Sequence, residues 1–368
     1  MEKANPLTHG RVVSIDALRG FDMFWIVGGG AIFQSLNKVW DNSVTQTINT
    51  QLEHVTWVGF RFEDLIFPLF LFIIGLVIPF SLSKRIERGD DRKQLYIHIF
   101  KRALLLYIIG MIYNGALSFN MEEMRWTGVL HRMAICYLFA SLIVMNTKWK
   151  GQAIWAATLL IGYWLISAFV PVPGFGICNF TMEGCLSSWI DQHFLPGKLY
   201  YGFGDNEGLI SNIPAIATAL MGVLAGHWLC SNKTGNRKTI NLLIAGVISL
   251  VLGYSWGTFF PIIKNIWSSS FVLVAGGWSL ILLAVFYWII DVKGFHKWAF
   301  FFQVIGANAI FIYFSTEFIN YGYTANYFIH GFLPMFGKLE PLALPIGTVA
   351  IEWLLLWFMY RKNTFLKV

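Results

Sequence analysis

Apolar residues in this chain fall in long runs, and short polar segments separate them. A helix needs about 20 mostly apolar residues to cross a bilayer, and ten stretches approach that length. The ten predicted spans are 12–33, 65–83, 103–119, 127–146, 152–171, 209–230, 240–256, 268–290, 299–320 and 341–360. The pattern therefore predicts an all-α fold, a polytopic membrane bundle of about ten transmembrane helices, with residues 1–368 forming a single transmembrane domain.

The composition also indicates a membrane protein. Of the 368 residues, 56% are hydrophobic and only 13% are charged, whereas soluble domains carry about 25% charged residues. A soluble chain with so little charge would expose large apolar patches. The net charge of +7 does not indicate a nucleic-acid partner, because the charges lie in short clusters between the spans, as in membrane proteins. We expect membrane lipid as a partner and no nucleic acid.

Lysine and arginine orient the chain, because cytoplasmic loops retain positive charge. With the N-terminus inside, the inside segments hold 19 of the 27 basic residues and the outside segments hold 6. We therefore expect both termini in the cytoplasm. No cleavage pattern follows the first span, so we expect it to stay as a membrane helix. Together with the short inner loops, this predicts a multi-pass protein of a bacterial inner membrane.

The long segments 34–64, 172–208 and 321–340 are predicted to lie outside, where an extracytoplasmic substrate would be met. Segment 172–208 contains Cys178 and Cys185, and an exported compartment permits a disulfide between them. Their spacing leaves open whether they form one. The spans show no internal repeat, which argues weakly against a secondary transporter.

A histidine and several carboxylates directly precede the second span. His54 lies ten residues before Asp64, and Trp57 lies between them. Histidine most readily serves as a base near neutral pH, and a carboxylate can orient its ring. Two interpretations stay open here. The segment is either a catalytic pair or an interfacial loop with surface charges and Trp57 as its membrane anchor.

Other ionisable residues lie in or beside the spans, where they are costly and are functional candidates. Asp16 and Arg19 are three residues apart and share one helical face. They either anchor the helix end or face a ligand. His131 and Arg132 begin the fourth span, and Arg132 needs an acidic partner, Asp64 or Asp16, or an anion.

Two further charged groups lie at the predicted membrane faces. Glu207 precedes the sixth span, where it either favours the helix N-terminus or binds a carbohydrate. On the inner side, six cations either meet anionic lipid or bind the phosphates of a nucleotide cofactor. These six are Arg85, Arg88, Arg92, Lys93, Lys101 and Arg102. No zinc-spaced set of cysteine and histidine occurs, so we expect no metal.

Seven segments of the chain occur in the order of a known family. They are SIDALRG at 14–20, HVTW at 54–57, DLIFP at 64–68, GVLHR at 128–132, PVPG at 171–174, EGL at 207–209 and DVKG at 291–294. On these segments the chain resembles the catalytic membrane domain of the heparan-α-glucosaminide N-acetyltransferase family and its bacterial relatives, within the wider transmembrane acyltransferases. The resemblance covers roughly residues 11–368.

The resemblance implies an acyltransferase that takes acetyl from cytoplasmic acetyl-CoA and transfers it to an amino sugar on the opposite side of the membrane. Whether it acetylates an amine or a hydroxyl of that sugar, as an N- or O-acetyltransferase, stays open. The resemblance also implies an essential histidine at His54, which acts as a base or carries the acetyl group. Asp64 would then orient His54, and Arg132 or a backbone N–H would stabilise the thioester oxyanion. The family also suggests a homodimer.

The other candidate residues follow from the same mechanism. Acetyl-CoA is expected to contact five charged residues of the inner face, namely Asp16, Arg19, Arg85, Arg88 and Arg102. The sugar is expected to contact Trp57, Glu207 and His131. Gly30 stands where a family member has asparagine. Two alternatives therefore stay open, a transporter of amino sugars and a non-catalytic membrane relative.

Overall fold

A computed structural model describes residues 12–366 of the chain, and the expectations for residues 1–11 and 367–368 fall outside this part. In the described part, every regular element is a helix, with loops and three isolated bridges between them, so the predicted all-α class is confirmed. The α-helices are α1 Val13–Phe24, α2 Gly30–Val39, α3 Ser43–Gln51, α4 Phe62–Glu87, α5 Arg92–Tyr113, α6 Val129–Asn146, α7 Trp149–Phe169, α8 Leu186–Phe194, α9 Asn212–Cys230, α10 Gly235–Trp256, α11 Ser269–Tyr287, α12 Ala299–Ala307, α13 Ala309–Phe318, α14 Tyr321–Ile329 and α15 Glu340–Arg361.

Within residues 12–366, eight helices are long and apolar enough to cross a membrane, or nine if the bent pair α12 and α13 forms one span. The predicted span 12–33 is not one continuous α-helix. A π-helical turn, Trp25–Gly29, separates α1 from α2. Gly28 has a φ of 141° within it, a conformation that glycine adopts without steric cost. The first span is therefore broken at its glycine-rich end.

Two segments between predicted spans are largely helical. Segment 84–102 separates the predicted spans 65–83 and 103–119, but α4 continues to Glu87 and α5 begins at Arg92. Asp91 caps α5, since its carboxylate accepts from the Gln94 N–H at 2.7 Å and the Gln94 side chain accepts from the Asp91 N–H. This reciprocal capping box is a helix-start signal. Segment 321–340 likewise forms α14 and a 3₁₀ segment, His330–Leu339.

The described chain divides into two compact units. The first contains Val55–Phe60 and Phe67–Ala284, and the second contains 12–54, Arg61–Ile66 and 285–366. In the first unit, α9 is largely buried and packs against α6 and α7. Its buried small side chains, among them Ala215, Ala217 and Ala219, let neighbouring helices approach closely, as is typical of membrane bundles.

In the second unit, α1 packs along α12. A Cβ at Gly20 would lie 1.7 Å from the Phe302 carbonyl oxygen, so the two backbones are in direct contact there. The 67° bend between α12 and α13 removes helical hydrogen bonds from the end of α12. The Gly306 carbonyl at this end accepts a hydrogen bond from Arg19 Nε at 2.8 Å. Arg19 thus satisfies a backbone group that the break exposes.

Candidate active site

The turn that begins α4 is held by side chains on both sides. The Phe62 N–H donates to the Gln51 side chain at 3.1 Å, and the Arg61 N–H donates to Asp64 Oδ2 at 3.1 Å. The first N–H groups of a helix have no partner within the helix. The side chains of Gln51 and Asp64 supply these partners, and they fix the position of Asp64 at the end of the loop that carries His54.

His54 and Asp64 form a hydrogen-bonded pair in the second unit. His54 Nδ1 lies 3.0 Å from Asp64 Oδ1. The Asp64 side chain is fully buried, whereas the His54 side chain is 57% exposed. When Nδ1–H donates to the carboxylate, the imidazole carries its lone pair on Nε2, and the buried anion stabilises a proton accepted there. This arrangement can perform general-base or nucleophilic chemistry at a surface.

Arg125, Asp205 and Glu207 form an ion cluster in the first unit. Arg125 donates to both Asp205 oxygens, from Nε at 2.8 Å and from Nη2 at 2.6 Å, and it also donates to Glu207. Burial opposes the charge on Arg125, but the two carboxylates raise its pKa above the ordinary value. Burial likewise opposes the charge on Asp205, and Arg125 lowers its pKa. Arg125 and Asp205 are therefore both ionised, and Glu207, predicted to bind sugar, is held by Arg125.

Asp191, which the sequence did not single out, lies under this cluster. It belongs to α8 and is 1% exposed. Its carboxylate accepts from the backbone N–H groups of Leu209 at 2.9 Å and Asp205 at 3.3 Å. Burial raises its pKa to about 7 although these hydrogen bonds oppose the shift. Nothing in its local sequence marks it, because its partners lie 14 and 18 residues away.

Arg132 and His131 are both buried in the first unit. Arg132 Nη2 donates to the Ser211 hydroxyl, and its guanidinium lies 4.6 Å from the centre of the Trp267 ring. The acidic partners considered from the sequence have contacts of their own, Asp64 with His54 and Asp16 with Arg19. The His131 ring packs edge-on against Tyr107. Catalysis by Arg132 and substrate contact by His131 stay predictions.

Trp57 is packed within the first unit. Its indole N–H donates to the Phe180 carbonyl at 2.7 Å, and its ring packs against a buried cluster that includes Phe260 and Ile263. The next residue, Val58, forms an isolated bridge with Ile263. These contacts fix the loop that follows His54. They leave stacking of a sugar on Trp57 as a prediction.

The charged residues predicted to meet acetyl-CoA occupy separate places. Asp16 pairs with Arg19 at 2.5 Å in the second unit. In the first unit, Arg85 contacts Asp90 at 2.8 Å and the His98 ring at 3.0 Å.

Two further cations lie apart along the chain, one just after α4 and one in the middle of α5. Arg88 is exposed just after α4, and the Arg102 guanidinium lies 4.5 Å from the centre of the Tyr137 ring. The predicted inner basic group is thus divided between the connection of α4 to α5 and the middle of α5.

The cysteines of segment 172–208 are both thiols in the structure. Cys178 is exposed, and the buried Cys185 Sγ lies 3.1 Å from the Ser188 hydroxyl.

Among residues 12–366, no group of three or more His, Cys, Asp or Glu side chains is arranged to hold a metal ion. The expectation that the protein needs no metal stays a prediction.

These features define a class, an all-α protein with several apolar helices long enough to span a membrane. A histidine–carboxylate pair lies at the start of one such helix, α4, and a buried ion cluster precedes another, α9. A family profile described as "Heparan-alpha-glucosaminide N-acetyltransferase, catalytic" matches residues 11–254. The match covers well over half of the chain, so the chain belongs to this family, and the predicted resemblance is confirmed.

Two curated relatives support the assignment. The chain is 29% identical to heparan-alpha-glucosaminide N-acetyltransferase of Homo sapiens over an alignment of 428 positions. It is 27% identical to the protein of the same name from Mus musculus. Each alignment covers 97% of this chain but only 60% of the relative. The chain therefore spans about three fifths of the length of these relatives.

Proposed function

We propose that this protein is a transmembrane acetyltransferase. It takes acetyl from cytoplasmic acetyl-CoA and transfers it to the amine of a sugar with a terminal glucosamine-type residue on the other side of the membrane. The observation that carries this proposal is the contact between exposed His54 and buried Asp64 at the start of α4, in a chain of an N-acetyltransferase family. Acyl transfer needs a base or nucleophile of this kind.

In this proposal, Asp64 acts by positioning His54. It holds Nδ1, so Nε2 either removes the proton from the attacking amine or attacks the thioester carbonyl itself. In the direct route, the amine nitrogen bonds to the acetyl carbon, and Nε2 takes the N–H proton. The C–S bond then breaks, and Nε2 gives this proton to the leaving sulfur, which restores the imidazole. The geometry of His54 and Asp64 serves both routes.

Acetyl-CoA carries phosphates that do not cross hydrocarbon, so its nucleotide needs cations at a membrane face. Exposed Arg88, between α4 and α5, and exposed Lys101, within α5, suit this requirement. Arg85 is partly neutralised by Asp90, which makes it a weaker candidate. We also propose that the protein lies in a bacterial inner membrane with both termini in the cytoplasm. We propose that it forms a homodimer.

Acetyl transfer by purified protein in liposomes tests the proposal. Radiolabelled acetyl-CoA is supplied on one side and glucosamine on the other, and labelled N-acetylglucosamine is measured. We expect His54→Ala to abolish transfer. His193→Ala is the matched control, because His193 is also exposed but contacts Trp189 on α8, and it should leave the rate unchanged. Equal transfer by wild type and His54→Ala would overturn the role of His54.

Transport of an amino sugar is the second candidate function. The observations that favour it are the two broken helices of the second unit, at Gly28 and at the bend between α12 and α13. Broken helices surround substrates in many transporters. Uptake of labelled glucosamine into liposomes that lack acetyl-CoA would support transport. Absence of uptake together with acetyl transfer would exclude it.

A further inference from the structure

An open groove of about 840 Å³ runs along the exposed face of α5 in the first unit. Its apolar wall consists of Ile97, Phe100 and Leu104, which are three and four residues apart and therefore form one stripe on the helix. Each of these side chains is more than half exposed, while α5 buries another set of side chains and packs against α6. The groove has the volume of a small-molecule site, about 300–1,000 Å³, but the side chains of its wall carry no polar atom.

Three cations border this groove. Arg92 and Lys93 lie at one end, in the first turn of α5, and Lys101 lies farther along the edge. Within residues 12–366, none of the three forms an ion pair. The carboxylate next to them in sequence, Asp91, caps α5 and accepts from the Gln94 N–H at 2.7 Å. Two cations thus outweigh one carboxylate at the end of the groove, and Lys101 adds a third positive charge.

Neutral partners hold Arg92 in place and leave its charge uncancelled. Arg92 Nη2 donates to Asn146 Oδ1 at 2.7 Å and to the Tyr96 hydroxyl at 3.3 Å. The Tyr96 hydroxyl also donates to Asn146 Oδ1, at 3.1 Å, so the three side chains support one another. In the described part of the chain, Arg92 Nε and Nη1 have no hydrogen-bond partner. These N–H groups are available to a phosphate oxygen, which an arginine binds strongly.

The length of the groove fits one leaflet of a bilayer. From Arg92 to Leu104, α5 rises about 18 Å at about 1.5 Å per residue. The hydrocarbon core of a bilayer is about 30 Å thick, so one leaflet contributes about 15 Å. Since α5 is long and apolar enough to span a membrane, a lipid with its headgroup at Arg92 has its acyl chain beside the apolar wall.

We propose that this groove is a binding site for an anionic phospholipid. The phosphate contacts Arg92 and Lys93, and one acyl chain lies along the apolar wall. The flexible stem of Lys101 lets its ammonium group extend toward the headgroup. An anionic lipid fits better than a zwitterionic one, because the latter brings its own cation to a positive end. The base and ribose of a nucleotide find no hydrogen-bond partner on the apolar wall, so the groove favours a lipid over the nucleotide of acetyl-CoA.

Native mass spectrometry of the purified full-length protein in detergent tests this site, and it does not require acetyl transfer. The probe is dioleoyl phosphatidylglycerol, and dioleoyl phosphatidylcholine, with the same acyl chains, is the comparison lipid. We expect one phosphatidylglycerol per chain to bind more tightly than phosphatidylcholine. A cation near a lipid surface contributes about fivefold in affinity. Arg92→Gln combined with Lys93→Gln should therefore weaken phosphatidylglycerol binding about 30-fold.

Lys233→Gln combined with Arg237→Gln is the matched control, because both residues are exposed cations beside the start of another helix, α10. It should keep the wild-type affinity. Unchanged binding in the α5 double variant, equal losses in both double variants, or equal binding of the two lipids by the wild type would overturn the proposal. If loss of the contact between Arg92 and Asn146 prevents folding, Lys93→Gln decides alone, with an expected loss of about fivefold.

Competition at matched ionic strength distinguishes a lipid from other phosphates. Inorganic phosphate should not displace bound phosphatidylglycerol, because it has no acyl chain to contact the apolar wall. Acetyl-CoA should not displace it either, although Lys101 is also a candidate contact for its nucleotide. Displacement by inorganic phosphate or by acetyl-CoA would assign the groove to a free phosphate or to the nucleotide, and it would overturn the proposal. Neither result bears on the transfer assay that tests the proposed function.

Discussion

His54 Nδ1 and Asp64 Oδ1 lie 3.0 Å apart, and the carboxylate is fully buried while the imidazole is exposed. This difference in burial lets Asp64 act on the ring without contact with a substrate. The backbone N–H of Arg61 holds the second Asp64 oxygen at 3.1 Å, so the carboxylate cannot rotate freely. The pair therefore presents one defined ring orientation at the surface.

Asp64→Asn should lower acetyl transfer strongly. An amide in place of the carboxylate still reaches His54, but it no longer stabilises a positive imidazole, and it can select the wrong tautomer. Correct general-base catalysis contributes about 10²–10⁴-fold, and we expect kcat to fall within this range while KM for the acceptor changes little. Steady-state kinetics in liposomes measures both constants. A kcat within twofold of wild type would contradict the orienting role of Asp64.

Arg125→Gln should destabilise the first unit. The substitution leaves the buried Asp205 and Glu207 without the cation that contacts both. Removal of one partner from a buried ion pair costs about 3–5 kcal/mol. We expect a clear fall in the thermal unfolding midpoint of the purified protein in detergent. Lys198→Gln removes an exposed charge near the same segment and should leave the midpoint unchanged. Equal midpoints for wild type and Arg125→Gln would show that the cluster adds no stability.

The sequence predicted the helical class and the pairing of His54 with Asp64, because both follow from local patterns. Apolar runs indicate helices in a membrane, and a histidine ten residues before a carboxylate at a helix start can fold back onto it.

Other parts of the site depend on contacts that no local pattern reveals. Asp191 becomes important only because Leu209 and Asp205 fold onto it. Arg19 was predicted to bind cofactor, but its contact with the Gly306 carbonyl depends on a helix break 287 residues away in sequence. Such long-range contacts satisfy buried polar groups only after the helices have packed. They therefore cannot be predicted from the order of residues along the chain.

Gly20→Ala and Gly30→Ala should change stability in opposite directions. Alanine favours a helix over glycine by about 1 kcal/mol, and a Cβ at Gly30 meets no atom within 4 Å. A Cβ at Gly20 would lie 1.7 Å from the Phe302 carbonyl oxygen. Since a backbone atom cannot move aside without shifting α12, overpacking should cost about 1–3 kcal/mol or more. Thermal unfolding in detergent compares the two, and a stabilised Gly20→Ala variant would contradict the close packing of α1 on α12.

Asp191 should make the protein less stable as the pH rises from about 4 to about 7. Its pKa is about 7 in the folded protein, against an ordinary value of 3.8, so the folded state binds more protons than the unfolded state in this window. Stability falls with pH wherever the folded state binds the extra proton. Above about pH 7, the buried Asp191 carboxylate is ionised. The free energy of unfolding is then lowered by the full cost of burying its charge. Asp205 does not contribute to this window, because Arg125 lowers its pKa below the ordinary value.

Asp191→Asn removes this titration but keeps an oxygen that accepts from the Leu209 N–H. We therefore expect the unfolding midpoint of the variant, relative to wild type, to rise by several degrees between pH 4 and pH 7 and to stay constant above that. Glu183→Gln is the control, because Glu183 is an exposed carboxylate of the same segment, and its difference from wild type should not vary with pH in this window. A difference between Asp191→Asn and wild type that is independent of pH would show that Asp191 keeps an ordinary pKa in the folded protein.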